Sequence, residues 1–280
     1  MTNTSLYASE LTYEFEKQYI RGISKEQIAL NLRKDVSIPP NLQYIDMFYD
    51  DRTGTSGVAF RDLSTGEIII AYTGTNPKPG KFSREFFIKD VLGSDLGGIG
   101  LGLSQHYKPA FRFYEKIRNT YIGDIVITGH SLGGNIGQVV AIQYNVAKTV
   151  IYNPAPLYGI DLPALLQFTS NTSFIEELSI KGKQFTGQII RFQTRDDFLK
   201  NSSDILGLNY WGESYILKDS KGHSLGGIID SPTDQLDIAR EIKNMYLATI
   251  DIDGDGRIDI NLPTERFSPR NLFLSGMPYG

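Results

Sequence analysis

The chain has no cysteine among its 280 residues. That removes disulfides, thiolate metal sites and a cysteine nucleophile together. It leaves the compartment open, since exported proteins also dispense with cysteine. Basic charge is not in excess either: Lys+Arg 28 against Asp+Glu 32 gives −4, so no basic surface advertises nucleic acid. The longest unbroken apolar run, Ile68 to Tyr72, falls far short of the roughly 20 residues needed to span a bilayer. The opening stretch, Met1 to Tyr19, carries neither a basic n-region nor an apolar h-region. No classical signal peptide is therefore expected, and export by another route is favoured over a cytoplasmic location. What remains is ordinary globular composition, 40% hydrophobic and 21% charged, which excludes wholesale disorder and implies a soluble, mildly acidic protein. The length suits one large domain or two small ones at roughly 150 residues each. With no Gly/Ser-type or Pro-type linker, one domain over 1–250 and a tail over 251–280 is the better reading.

Along the chain, Leu11, Phe15 and Tyr19 recur at helical spacing, and Ser24 caps a second helical pattern, Lys25 to Lys34, that stops before Pro39 and Pro40. A hairpin is expected from Gly57–Phe60 and Glu67–Tyr72 around a Ser64-Thr65-Gly66 turn. Residues 76–105 are Gly-rich with one aromatic patch, and His106–Asn119 reads as an amphipathic helix. From there a strand (Asp124–Thr128), a helix (Asn135–Tyr144), a strand (Thr149–Tyr152), a mixed insertion (161–187), a strand (Gln188–Phe192) and a helix (Pro232–Ile250) follow. Such alternation argues for an α/β protein with a mostly parallel sheet flanked by helices.

The most informative stretch runs from Asp124 to Gly134, where a buried-type strand enters Gly129-His130-Ser131-Leu132-Gly133 and then a helix. A serine on a turn this tight needs glycines two residues either side, because side chains there would strike neighbouring backbone. The helix that follows points N–H groups at the place where an oxyanion would form. Ser131 is thus the candidate nucleophile. The hexapeptide recurs as Gly222-His223-Ser224-Leu225-Gly226-Gly227, but after the polar residues Lys218–Lys221, which carry no strand pattern. In the second copy the histidine, not the serine, carries the interest.

A serine needs a positioned base, and an acid to orient that base. With an elbow of this kind the chain order is Ser, acid, His. Of the three histidines, His106, His130 and His223, only His223 follows Ser131. His130 is expected to pack at the elbow and His106 to open a helix. The acid should lie at a strand end after the elbow helix, where Asp196 and Asp197 stand side by side. Asp197 is preferred because Leu199 offers an apolar anchor two residues on; Asp196 is the alternative and Asp204 a distant third. Oxyanion donors are expected from the Leu132 N–H and from the strand end Tyr72-Thr73-Gly74-Thr75, where Thr75 offers both N–H and hydroxyl.

Together these residues resemble the class 3 lipases, an α/β-hydrolase family of triacylglycerol lipases and phospholipases A1. The resemblance spans roughly residues 57–230 and rests on Ile69–Thr75 (with Thr73 where the family has Arg), Ile125–Gly134, Asp197–Leu199 and Gly222–Leu225. It implies an α/β-hydrolase fold, a Ser131–His223–Asp197 triad, an oxyanion hole at Thr75 and Leu132, and a lipid or phospholipid substrate met at a membrane surface. Tyr152-Asn153-Pro154 departs from the family's commoner Phe-Gly-x-Pro pattern. The lack of cysteine, where secreted fungal members have disulfides, suggests a bacterial and divergent member. Lid segments are expected in 76–105 and 161–187. Rival readings are a short-chain esterase or acyltransferase of the same fold, and a calcium-dependent binding or toxin module on a vestigial hydrolase.

The last motif is acidic. Asp251, Asp253, Asp255 and Asp259 stand at positions one, three, five and nine of a loop with Gly256 at six and the Arg257 carbonyl at seven. That spacing wraps oxygen ligands round one calcium ion. Position twelve is Leu262, so the loop departs from an EF-hand, and Glu265 or water is expected to complete the shell. A structural ion is expected here, remote from any ester chemistry.

Overall fold

A computed structural model describes residues 3–35, 37–74, 97–159, 172–206 and 208–248. Two helices open it, α1 (Thr4–Ile20) and α2 (Lys25–Lys34), and the Ser24 side chain caps α2 by accepting from the Gln27 N–H. Then come β1 (Leu42–Asp50), β2 (Thr55–Asp62), β3 (Ile68–Tyr72), α3 (Gly97–Thr120), β4 (Ile125–His130), α4 (Leu132–Tyr144), β5 (Lys148–Tyr152) and β6 (Tyr158–Gly159). The rest comprises α5 (Thr172–Gln184), β7 (Gln188–Thr194), α6 (Phe198–Leu206), β8 (Leu208–Asn209), β9 (Glu213–Leu217), α7 (Leu225–Ile229) and α8 (Pro232–Ala248). Seven strands form one sheet in the order β1-β2-β3-β4-β5-β7-β9, and β6 pairs with β8 apart from it. The first three strands are antiparallel neighbours, and from β3 to β9 every pairing is parallel.

The central strands are apolar throughout because both faces of the sheet are covered. In β3, Ile68, Ile70 and Tyr72 join one core with Phe113 and Ile117 of α3 and Ile136 and Val140 of α4. Ile69 and Ala71 point the other way, into a core with Leu11 and Phe15 of α1 and Ile28 of α2. A third core sits beside the second, where Val150, Tyr152, Ile190 and Phe192 meet Leu225 and Ile228 of α7 and Ile238 and Met245 of α8. Truncating one such buried aliphatic to alanine typically costs about 2–5 kcal/mol. A mostly parallel sheet sandwiched between helices, with β4 running through a serine into α4, is an α/β-hydrolase fold.

Differences from expectation are local. Tyr19 is largely exposed while Leu11 and Phe15 are buried. The helix expected from His106 begins at Gly97, and α5 lies inside the stretch read as a mixed insertion. Strands β1 and β9 add to those expected. Among the described residues no helix is long and apolar enough to cross a membrane. Thr75, the calcium loop with Asp251, Asp253, Asp255, Arg257 and Asp259, the tail 251–280, and the lid segments over 76–96 and 161–171 lie outside the described residues.

Candidate active site

Ser131 joins β4 to α4 with φ 58° and ψ −125°, a left-handed backbone at a residue that is not glycine. Such a conformation costs about 1–3 kcal/mol and persists only where its surroundings enforce it. Here they do. The Ser131 carbonyl accepts from the N–H groups of Gly134, Asn135 and Ala155, and its own N–H donates to the Tyr152 carbonyl. The flanking glycines are steric requirements: a Cβ at Gly129 would lie 2.4 Å from the Gly133 carbonyl oxygen, and one at Gly133 would lie 2.1 Å from that of Tyr72. Leu132 opens α4, so its N–H belongs to the first turn, whose donors have no partner within the helix. The end of β3 abuts the serine too, since a Cβ at Gly74 would lie 3.1 Å from the Ser131 Cβ and 2.7 Å from the His130 carbonyl oxygen.

The second copy of the hexapeptide has a different geometry. Ser224 has φ −72° and caps the short helix α7, its hydroxyl accepting from the Gly226 N–H at 3.2 Å. The same six residues therefore build an elbow where a strand feeds them and a helix cap where a polar loop does.

His223 Nδ1 lies 2.7 Å from Asp197 Oδ1. The Asp197 side chain is 0% exposed and that of His223 16%, which leaves the imidazole within reach of a substrate and its partner acid sealed in. Asp197 also N-caps α6, its Oδ1 accepting from the Leu199 N–H at 3.2 Å. The fully buried Leu199 fixes the start of that helix. The neighbouring Asp196 binds backbone instead, its Oδ1 accepting from the Gly222 N–H at 2.7 Å. Asp204 pairs with Lys200 at 2.6 Å on the surface of α6, with 60% of its side chain exposed.

The loop carrying His223 is tied down on every side. Asn153, at φ 39° just past β5, donates from Nδ2 to the His223 carbonyl at 3.1 Å and accepts the Thr194 N–H at 2.8 Å. The Thr194 hydroxyl donates to the Gly222 carbonyl. From below, the Asp234 carboxylate at the start of α8 accepts the N–H groups of Lys218, Asp219 and Ser220 and the Ser220 hydroxyl. Burial pushes the Asp234 carboxyl up, but those donors outweigh it and hold it below the usual range. Finally His130, next to the nucleophile, bonds through Nε2 to the His223 carbonyl at 2.7 Å, and the two rings lie 4.6 Å apart. On its other side the His223 ring has Phe198 at 4.8 Å.

The structure thus brings Asp197 and His223 into contact, sets His223 beside the residue that adjoins Ser131, and leaves Asp204 outside. Asn153, Thr194, Asp234 and Tyr13, which is bonded to His130, were not marked by the sequence. Asn153 was visible only as a departure from a pattern. Among the described residues no group of three or more His, Cys, Asp or Glu side chains could hold a metal ion. A strained serine hydroxyl, an imidazole with a buried carboxylate behind it, and helix-terminal N–H donors are the equipment of acyl transfer.

No family model matches the chain, and no curated protein matches it. Among solved structures it is similar to lipase II from Rhizopus niveus, at 15% identity over 79% of this chain and 81% of that one, with a TM-score of 0.48. A triacylglycerol lipase from Penicillium expansum shows 16% identity over 64% of this chain and 71% of that one, TM-score 0.45. A lipase from Rhizopus microsporus var. chinensis shows 15% identity over 79% and 75%, TM-score 0.45. All three are fungal proteins, and the expected bacterial origin draws no support from them. The α/β-hydrolase fold of this chain rests on its own strand order and on the elbow between β4 and α4.

Proposed function

We propose that this protein is a serine carboxylic-ester hydrolase acting on lipid acyl esters. The Asp197–His223 pair beside the strained Ser131 elbow carries the reading. Ser131 Oγ attacks the ester carbonyl while His223 Nε2 takes its proton, and Asp197, buried on Nδ1, stabilises the imidazolium that forms. The N–H of Leu132 and a donor from Thr75, just past the end of β3, receive the oxyanion. His223 returns the proton to the leaving alcohol, and a water activated by the same imidazole hydrolyses the acyl-enzyme. The choice of a lipid acyl chain, in a triacylglycerol or at the A1 position of a phospholipid, rests on the motif resemblance around Ile69–Thr75, Ser131, Asp197 and His223.

Ser131→Ala, Asp197→Asn and His223→Ala should each lower ester hydrolysis by about a thousandfold or more without unfolding the protein. Ser224→Ala should retain nearly full activity, and Asp196→Asn should be milder than Asp197→Asn. Activity surviving Ser131→Ala but not Ser224→Ala would refute the assignment. Mass spectrometry of products from mixed triacylglycerol and phospholipid micelles separates the two lipid classes. Hydrolysis confined to short p-nitrophenyl esters would favour the small-ester reading.

A further inference from the structure

Helix α1 reaches the site through a polar stripe that is buried at Ser5 and Ser9 and partly buried at Tyr13. Ser5 Oγ meets the Tyr152 hydroxyl at 2.8 Å, Ser9 Oγ meets Thr128 Oγ1 at 2.8 Å, and the Tyr13 hydroxyl meets His130 Nδ1 at 2.7 Å. One turn on, the Ser56 hydroxyl donates to Glu16 and bonds the Thr73 hydroxyl beside Gly74. The Tyr13 bond has a direction that chemistry dictates. A carbonyl oxygen only accepts, so the 2.7 Å contact between His130 Nε2 and the His223 carbonyl requires the proton on Nε2. Burial, and then the neighbouring His223, push His130 down to about 3, so the ring is neutral and its Nδ1 offers a lone pair. Tyr13 must then be the donor, and burial pushes its phenol up, which keeps the proton in place. The same phenol packs against the end of β3, where a Cβ at Gly74 would lie 2.2 Å from its oxygen.

We propose that Tyr13 is a positioning residue for the base: by locking His130 in its Nε2–H tautomer it anchors the His223 carbonyl, and so holds the imidazole against Ser131. The proposal rests on the reading of Ser131 and His223 as nucleophile and base. With the proton on Nδ1 instead, His130 would set a lone pair against the lone pairs of the His223 carbonyl, and the anchor would become a repulsion. The loop's other tethers, from Asn153 and Thr194, would remain, so the imidazole would shift and the fold would stay.

The test compares Tyr13→Phe with Ser9→Ala, which removes a hydrogen bond from the same helix face to Thr128 without touching a histidine. Tyr13→Phe should lower kcat on p-nitrophenyl esters, and the rate of fluorophosphonate labelling at Ser131, by about tenfold, with KM changed less than about twofold. Ser9→Ala should leave both unchanged. Imidazole 15N NMR should show His130 as the Nε2–H tautomer in the wild type and as a mixture in Tyr13→Phe. An Nδ1–H tautomer in the wild type overturns the relay whatever the variants do. Labelled wild type with an equally active Tyr13→Phe overturns the relay alone. Wild type that takes no label overturns the nucleophile reading, and the relay's catalytic role with it.

Discussion

Asp234 lies 103 positions beyond Ser131 in the chain, yet it sets where His223 can sit, because its carboxylate gathers the backbone of Lys218–Ser220 just ahead of the histidine. The folded carboxyl is held below its ordinary value of 3.8. A depressed carboxyl contributes stability that is fully present above the unfolded pKa and is lost as pH falls through the folded one. Unfolding monitored against pH should therefore show a loss below about pH 4 that Asp234→Asn removes, the variant being less stable than wild type at neutral pH by about 1–3 kcal/mol. An identical acid limb in both proteins would contradict it. At this scale the sequence marks candidate reacting groups and leaves unmarked the residues that tie down their loops. Ser131, Asp197 and His223 announce themselves by residue type, spacing and chain order. Asp234 and Asn153 work through backbone partners on distant loops, which no spacing rule encodes. Leu199, the apolar anchor that favours Asp197 over Asp196 in the sequence, lends its N–H to the Asp197 carboxylate.

Elements were readable in proportion to how evenly they are buried. β3, β4, β5 and β7, covered on both faces, stand out as apolar runs. β9 buries only Leu217 along Glu213–Leu217, as expected of an edge strand, and shows no pattern. β1 carries a buried charge, Asp46, which burial alone would push up but which Lys116 of α3 and Lys25 of α2 hold below the usual range. That ion-pair cluster spans three elements and masks the strand's alternation. In α1 the apolar positions Leu11 and Phe15 were plain, whereas Ser5 and Ser9, which are buried, and the partly buried Tyr13 carry no such signal. The junction between β4 and α4 gives the sharpest test at this scale. Alanine is a better helix former than glycine by about 1 kcal/mol, yet at Gly133 its Cβ would meet the Tyr72 carbonyl at 2.1 Å. Gly133→Ala should therefore destabilise the protein by about 3 kcal/mol, read as a lower urea midpoint; a midpoint equal to wild type would show that β3 and α4 can part without cost.

For the whole molecule, the fold class followed from strand–helix alternation, while the segments at 75–96 and 249–280 are outside the described residues and keep only their sequence argument. Four aspartates within Asp251–Asp259 repel one another unless a cation sits among them. Calcium should accordingly raise the melting temperature, by about 2–4 °C for each kcal/mol of binding free energy. Chelation should reverse the gain, and Asp253→Ala combined with Asp255→Ala should abolish it. Melting curves indifferent to both calcium and chelator would remove the ion from the description, with the ester chemistry untouched.

The polar stripe of α1 also bears on how the chain reaches this state during synthesis. Its partners Thr128, His130 and Tyr152 lie 119, 117 and 147 residues downstream of Ser9, Tyr13 and Ser5. Helix α1 leaves the ribosome before β4 and β5, and these three hydrogen bonds wait until those strands exist to supply them. Contacts of such separation close large loops and slow folding, and until they form, the helix is held by its apolar contacts alone, Leu11 and Phe15 against β2 and β3. The elbow and its strained serine are consequently finished by a helix made more than a hundred residues earlier, so a stalled or truncated product that lacks β5 exposes both at once.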